Sequence, residues 1–175
     1  MSSSTPRWLE RDQQHAWRSY VVGSTLLLAK LDRELRDEFG LALAEYEILV
    51  RLSESDGGRM RMSALADSMC HSRSRITHTV KRLQDRGVVE RVAYGDDGRG
   101  VEAVLTDAGR QLLERAAPVH VHGVRRHFVD RLSADDLAAV GRAFGTAADA
   151  LVAEHPAADI REAGGRALRG AVSRG

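Results

Sequence analysis

The sequence predicts a mainly α protein with one small β-hairpin: a winged helix-turn-helix carried between long helices near both ends. Three observations lead there. Apolar residues recur at helical spacing through most of the chain. VVERVAY and VEAVL, two β-rich runs, flank the Gly/Asp turn GDDGRG, which reads as a hairpin. Just before them, HSRSRITHTVKRLQDRG (His71 to Gly87) sets four arginines and a lysine against one aspartate, on a chain whose net charge is only +1.

Composition bounds the function. A length of 175 residues suits one domain, and 43% hydrophobic residues sustain a real core built on Leu, Val and Ala, since aromatics are only 5%. No run of about 18 apolar residues occurs, so no membrane partner is expected. The N-terminal MSSSTPRWLERDQQ has no apolar signal region. A single cysteine, Cys70, allows no internal disulfide and suits a reducing, cytoplasmic setting. With 26 basic against 25 acidic residues there is no global pull toward nucleic acid, so any such signal must lie in where the charges sit. There is no P-loop, no GxGxxG and no Ser/His/Asp set in a recognisable context, which argues against an enzyme and against a cofactor.

The elements follow in order. Residues 1–7 are expected to form a polar, flexible tail. Residues 8–38 read as one long helix, with Trp17, Tyr20, Ser24, Leu27, Leu31 and Leu35 at helical spacing and Gly40 ending it. YVVGSTLLLAKL within it is apolar around most of its circumference, so it should be covered on several sides. A second helix runs Leu43 to Leu52, and SESDGG closes it. Met60–Met62 suits a short strand, and Ser63 is placed to cap a short third helix. The basic helix ends at Gly87, a good residue just past a helix end. After the hairpin, Thr106 is placed to cap a helix reaching about residue 131, with Pro118 as a kink. Ser133 caps the last helix, where Leu137, Val140, Phe144, Ala147 and Leu151 form an apolar stripe. The tail 156–175 is expected to be mobile. Residues 8–155 thus read as one domain, with a winged helix at 43–105 between helices 8–38 and 107–153. The outer helices carry more apolar surface than so small a core can hide, which argues for a homodimer.

At 100° per residue with Ile76 at zero, Val80 falls near 40° and Leu83 near 340°, and these three define a buried stripe. Ser74, His78, Lys81 and Asp85 lie opposite, between about 140° and 200°, with Arg82 and Arg75 flanking at about 240° and 260°. A rigid rod with cations and hydrogen-bond donors on one face is what a recognition helix needs in a DNA major groove. A solvated charged face is the plain alternative. The hairpin strengthens the first reading, because Arg99 at its tip can enter a narrow minor groove and Asp97 can orient it. Ser72, Ser74, Arg75, Thr77, His78, Lys81 and Arg82, with Asp97 and Arg99, are therefore the candidate contacts to double-stranded DNA. A winged helix that docks an acidic protein partner on the same face is the competing reading.

ITHTVKRLQDRGVVERV followed by GDDGRGVEAVLTDAG resembles the MarR family of bacterial transcription regulators, over roughly residues 15 to 153. The matching positions are Thr77, Arg82, Leu83, Gly87, Val89, Arg91, Asp97, Arg99, Leu105, Thr106 and Gly109. Ala42 departs from the Ser or Thr that often caps the second helix there, a loss of about 1 kcal/mol. The resemblance implies a homodimer with interleaved terminal helices, a pseudo-palindromic site with recognition helices about one DNA turn apart, and repression relieved by a small molecule.

An effector in such proteins commonly sits between the dimerisation helices and the winged helix. The branch sensing urate and related acids uses a first-helix tryptophan, an acid on the second helix and an arginine after the recognition helix. Trp17, Glu47 and Arg91 occupy similar places, but that branch's further arginine falls on Thr79 here, so a different aromatic or carboxylated molecule is implied. Tyr20, Arg18 and Arg73 complete the candidate set. Trp17 and Tyr20 also fit an ordinary core, and Arg73, beside the buried stripe, also fits a salt bridge to Glu47 or Asp67. Cys70 reads as a buried, inert thiol, with single-cysteine redox sensing as the alternative. His120, His122 and His127 suggest zinc, yet His120 and His122 point about 200° apart on a helix, so no metal site is expected.

Overall fold

The computed structural model describes residues 6–94 and 100–154. Six α-helices and three strands follow one another: α1 (Arg11–Phe39), α2 (Leu43–Glu54), β1 (Arg59–Arg61), α3 (Met62–Ser68), α4 (Arg73–Asp85), β2 (Val89–Tyr94), β3 (Gly100–Leu105), α5 (Asp107–His127) and α6 (Ala134–Glu154). The strands form one antiparallel sheet in the order β1-β3-β2. Val89 faces Leu105 and Tyr94 faces Gly100 across the hairpin, while Met60 faces Ala103 on the other edge of β3. The mainly α winged helix-turn-helix expected from the sequence is the fold observed.

The core sits in the winged helix and the adjoining ends of α1 and α5. Leu35, Leu41, Ile48, Leu49, Leu52, Leu65, Ile76, Val80, Leu83 and Val89 are fully buried, joined by Leu112 and Ala116 of α5. Leu31, the first buried residue of α1, stands fourteen positions after Trp17, so about 21 Å of helix lies between Trp17 and the core. No residue of α6 is buried within the chain.

Several boundaries differ from the sequence reading. α1 begins at Arg11, because the Glu10 N–H is held by the Gln13 side chain (3.0 Å) and the chain is extended before it. Ser63 does not cap α3. That helix starts two residues earlier, at Met62, and Arg61, at the end of β1, is its N-cap without a side-chain hydrogen bond. Ser72, Thr106 and Ser133 do cap their helices, accepting from the N–H groups of Arg75, Gly109 and Asp136. Pro118 lies inside α5, which runs unbroken past it to His127.

The cap missing at Ala42 is supplied from elsewhere. Asp32 of α1 accepts the Leu43 N–H (2.8 Å), and Glu45 accepts the Ala42 N–H (2.9 Å). Two orphan donors at the α2 N-terminus are thereby satisfied, so the expected loss of capping is offset.

The basic helix ends as the sequence suggests. Gly87 adopts a left-handed φ of 70°, and the Val88 N–H reaches back to the Leu83 carbonyl (3.1 Å). This turn then receives α5. Thr106 donates its hydroxyl to the Gly87 carbonyl (2.9 Å) and its N–H to the Val88 carbonyl (3.2 Å), while Gly109 lies directly against the Val88 carbonyl oxygen. The LTDAG segment is thus a docking joint between wing and outer helix.

Candidate nucleic-acid interface

α4 is amphipathic: Ile76, Thr79, Val80 and Leu83 are buried, and Ser72, Ser74, Arg75, Thr77, His78 and Lys81 are exposed. Thr77 donates its hydroxyl to the Arg73 carbonyl (2.8 Å), which fixes its rotamer and leaves lone pairs and a methyl facing outward. Lys81 forms an exposed i,i+4 pair with Asp85 (3.0 Å), a contact weak enough in water to exchange for a phosphate. The wing is braced toward its turn by Arg61, whose guanidinium carbon lies 4.2 Å from the centre of the ring of Tyr94, the last residue of β2. Asp97 and Arg99, the expected tip contacts, lie outside the described residues.

Arg82 is exposed like the rest of that face, with its side chain 56% accessible, and it also reaches back to the fold. Its Nε donates to Glu45 Oε1 (2.8 Å) and its Nη2 to Thr79 Oγ1 (3.4 Å), which ties it to α2. Sequence reasoning missed three residues of this neighbourhood: Glu45, Asp32 and Arg86. Arg86 donates to the carbonyl oxygens of Gly40 (2.9 Å) and Phe39 (3.0 Å) at the end of α1. One local signal was available for Glu45, which stands three residues after the N-cap, the spacing of a capping box. Nothing local marks Arg86.

The six candidate effector residues are not gathered by one chain. Trp17 and Tyr20 pack on each other (ring centres 5.7 Å apart), and Tyr20 packs on Phe144 of α6 (4.9 Å). Arg18 is exposed on α1 and Arg91 on β2. Glu47 is exposed on α2 near the start of the basic helix, where desolvation by the groups around it raises its carboxyl pKa against the pull of His71, Arg51 and Arg75. Arg73 is the first residue of α4 and is exposed, so the partner that a half-buried cation would need is not required.

Cys70 is exposed rather than buried, with a left-handed φ of 50°. The α3–α4 turn needs that conformation at this position and turns the side chain outward. The three histidines also part company. His120 packs on Tyr46 of α2 (ring centres 4.7 Å apart) with its Nδ1 buried and lacking a hydrogen-bond partner. His127 meets Glu34 of α1 (2.8 Å), and His122 is exposed. Among the described residues no group of three or more His, Cys, Asp or Glu is placed to hold a metal ion.

These environments predict a two-stage acid response. Burial lowers the His120 pKa below 6.5, so stability should decline as pH falls through 6.5 and the unfolded chain takes up the proton first. Asp32 is held below 3.8 chiefly by its hydrogen bond to Arg36, and Glu34 below 4.5 chiefly by His127; their contributions are present above those values and lost beneath them. Melting across this range should show both stages, and His120→Phe should remove only the upper one. An unchanged upper stage in that variant would contradict the assignment.

Comparison with known proteins agrees with this geometry. Residues 41–101 match the family model described as the MarR family. The chain is similar to AbsC, a MarR family transcriptional regulator from Streptomyces coelicolor, with 42% identity and a TM-score of 0.77 over 83% of this chain and 98% of that one. It is also similar to Sco3205, a MarR family regulator from the same organism solved in complex with DNA (40% identity, TM-score 0.80, 85% and 93% covered). Over 80 residues it is 35% identical to the HTH-type transcriptional repressor Rv2887 of Mycobacterium tuberculosis, spanning 46% of this chain and 56% of that protein.

Proposed function

Because the chain belongs to the MarR family of transcriptional regulators, we propose that two copies bind a pseudo-palindromic duplex as a repressor and release it when a small aromatic or carboxylated molecule binds. The observation that carries this reading is the α4 face, where Ser74, Arg75, Thr77, His78 and Lys81 stand exposed on a helix whose other side is locked into the core. A rod so held presents its donors to base edges without further ordering. The complex of Sco3205 with DNA and the repressor Rv2887 support the same reading.

Pairing of two chains is supported by what one chain leaves uncovered. Trp17 (56% exposed), Val22, Leu26 (66%) and Leu28 of α1, with Phe144 (47%) and Leu151 (66%) of α6, are large apolar side chains facing water. A second copy burying them would join the terminal helices and hold the two α4 helices at a fixed separation. The working unit is then residues 8–155 taken twice. Trp17, Tyr20 and Phe144 at that junction offer an aromatic surface to an effector, with Arg18 nearby in sequence as a counter-charge. None of the helices described is long and apolar enough to cross a membrane, and a regulator of this kind acts in the cytoplasm.

Salt dependence tests the reading against protein docking. A dimer neutralising about 6–10 phosphates should lose about 10³–10⁵ in duplex affinity between 50 and 200 mM salt. Lys81→Ala should weaken all duplexes alike and reduce the salt slope by about one, whereas Thr77→Ala or Arg75→Ala should change preference among sequences. Duplex binding that ignored salt, together with capture of an acidic protein on the same face, would favour the docking module instead.

A further inference from the structure

We propose that Arg82 and Arg86 are positioning residues that fasten the C-terminal half of the recognition helix to the joint between α1 and α2, Arg86 to the end of α1 and Arg82 to Glu45 of α2, and that this joint sets the spacing between the two recognition helices. The inference rests on the reading of a dimer on DNA and goes beyond it in saying which residues fix the geometry.

The joint is built from both sides. Arg86 forks onto two successive carbonyls, Phe39 and Gly40, where α1 ends. Unpaired carbonyls at a helix C-terminus carry partial negative charge, so a guanidinium is favoured there for its charge as well as its two donors. Arg82 grips Glu45, whose side chain is 7% exposed and whose second oxygen holds the Ala42 N–H. Asp32 of α1 holds the next N–H, Leu43. The three-residue link Gly40–Ala42 between α1 and α2 is therefore clamped by α1 on one side and by α4 on the other.

Both arginines reach this joint across long sequence separations: the Arg86 contact fixes the end of α4 against α1, and the Arg82 contact fixes α4 against the start of α2. Since α1 also carries the uncovered apolar surface, a tilt of α1 against its partner would be passed to α4 through this fork. That route differs from phosphate contact, the role that the arginine-rich composition of the helix suggests. A lysine at either position keeps the charge but loses the planar fork.

The test uses the full chain and duplexes bearing the selected half-sites at centre spacings varied one base pair at a time. Wild type should lose about tenfold or more for a displaced half-site. Arg86→Lys and Arg82→Lys should bind the best spacing about tenfold more weakly and discriminate among spacings less than about threefold. Glu45→Gln should reproduce the Arg82 result, although a carboxylate has no attraction for phosphate. Arg86→Gln and Arg82→Gln should leave the salt slope at the wild-type value. A slope reduced by about one per arginine, with spacing preference intact, would make them phosphate contacts and overturn the proposal. Retained spacing preference in Glu45→Gln and both lysine variants, each shown folded by melting, would overturn it too. A wild type that bound no duplex would remove the underlying reading and this inference with it.

Discussion

Gly109→Ala is expected to destabilise the protein by about 3 kcal/mol, at the upper end of what overpacking usually costs. A Cβ at this position would overlap the Val88 carbonyl oxygen and come within 2.6 Å of Leu105 Cδ1. The carbonyl cannot retreat, because it also accepts the Thr106 N–H and belongs to the turn that Gly87 closes. The methyl therefore has to push the first turn of α5 away from the wing. For a domain of this size the melting temperature should fall by about 6–12 °C. Gly123→Ala is a milder relative, since the atoms met there are the side-chain ends Glu34 Oε2 and Leu31 Cδ2, and the carboxylate can swing aside. If Gly109→Ala melted like the wild type, the docking of α5 onto the Gly87–Val88 turn would be misplaced.

Phe144→Asp is expected to have the largest effect on DNA binding without touching the wing. Phe144 sits on Tyr20 and is half-exposed, within the apolar surface of α1 and α6 that the proposed second copy would cover. A carboxylate buried in that junction without a partner costs several kcal/mol per copy, and two-fold symmetry places it there twice. Sedimentation should show a dimer for the wild type and a monomer for the variant. Duplex affinity should fall by about 10³-fold or more, toward the non-specific range, because one winged helix reaches only one half-site. A dimeric Phe144→Asp that bound its operator normally would show that the α1 and α6 faces do not join the two copies.

Much of the fold was legible because its signals are local. Ile76, Val80 and Leu83 fall on one stripe of a helical wheel, and all three are fully buried. Thr106 and Gly87 announce a cap and a left-handed turn by residue type alone, and each does that work. The apolar stripe of α6 was legible as well, and no residue of that helix is buried within the chain. Short-range reading failed where geometry depends on distant neighbours. Arg73 fell beside the buried stripe on the wheel, but as the first residue of its helix it projects into water. Cys70 was read as buried from its type, whereas the turn that holds it required an outward, left-handed residue. The pairs Arg82–Glu45 and Arg86–Gly40 join residues 37 and 46 positions apart, and no pattern in the sequence links them. Trp17 and Glu47 matched a family motif, yet in one chain they belong to different neighbourhoods.

Selection of bound duplexes from a random pool by the purified chain tests the central claim most directly. Two recognition helices held apart by paired α1 and α6 should recover two inverted half-sites whose centres lie about 10 base pairs apart, or one such turn more. Recovery of a single half-site without a symmetric mate, or of no common sequence, would contradict the account.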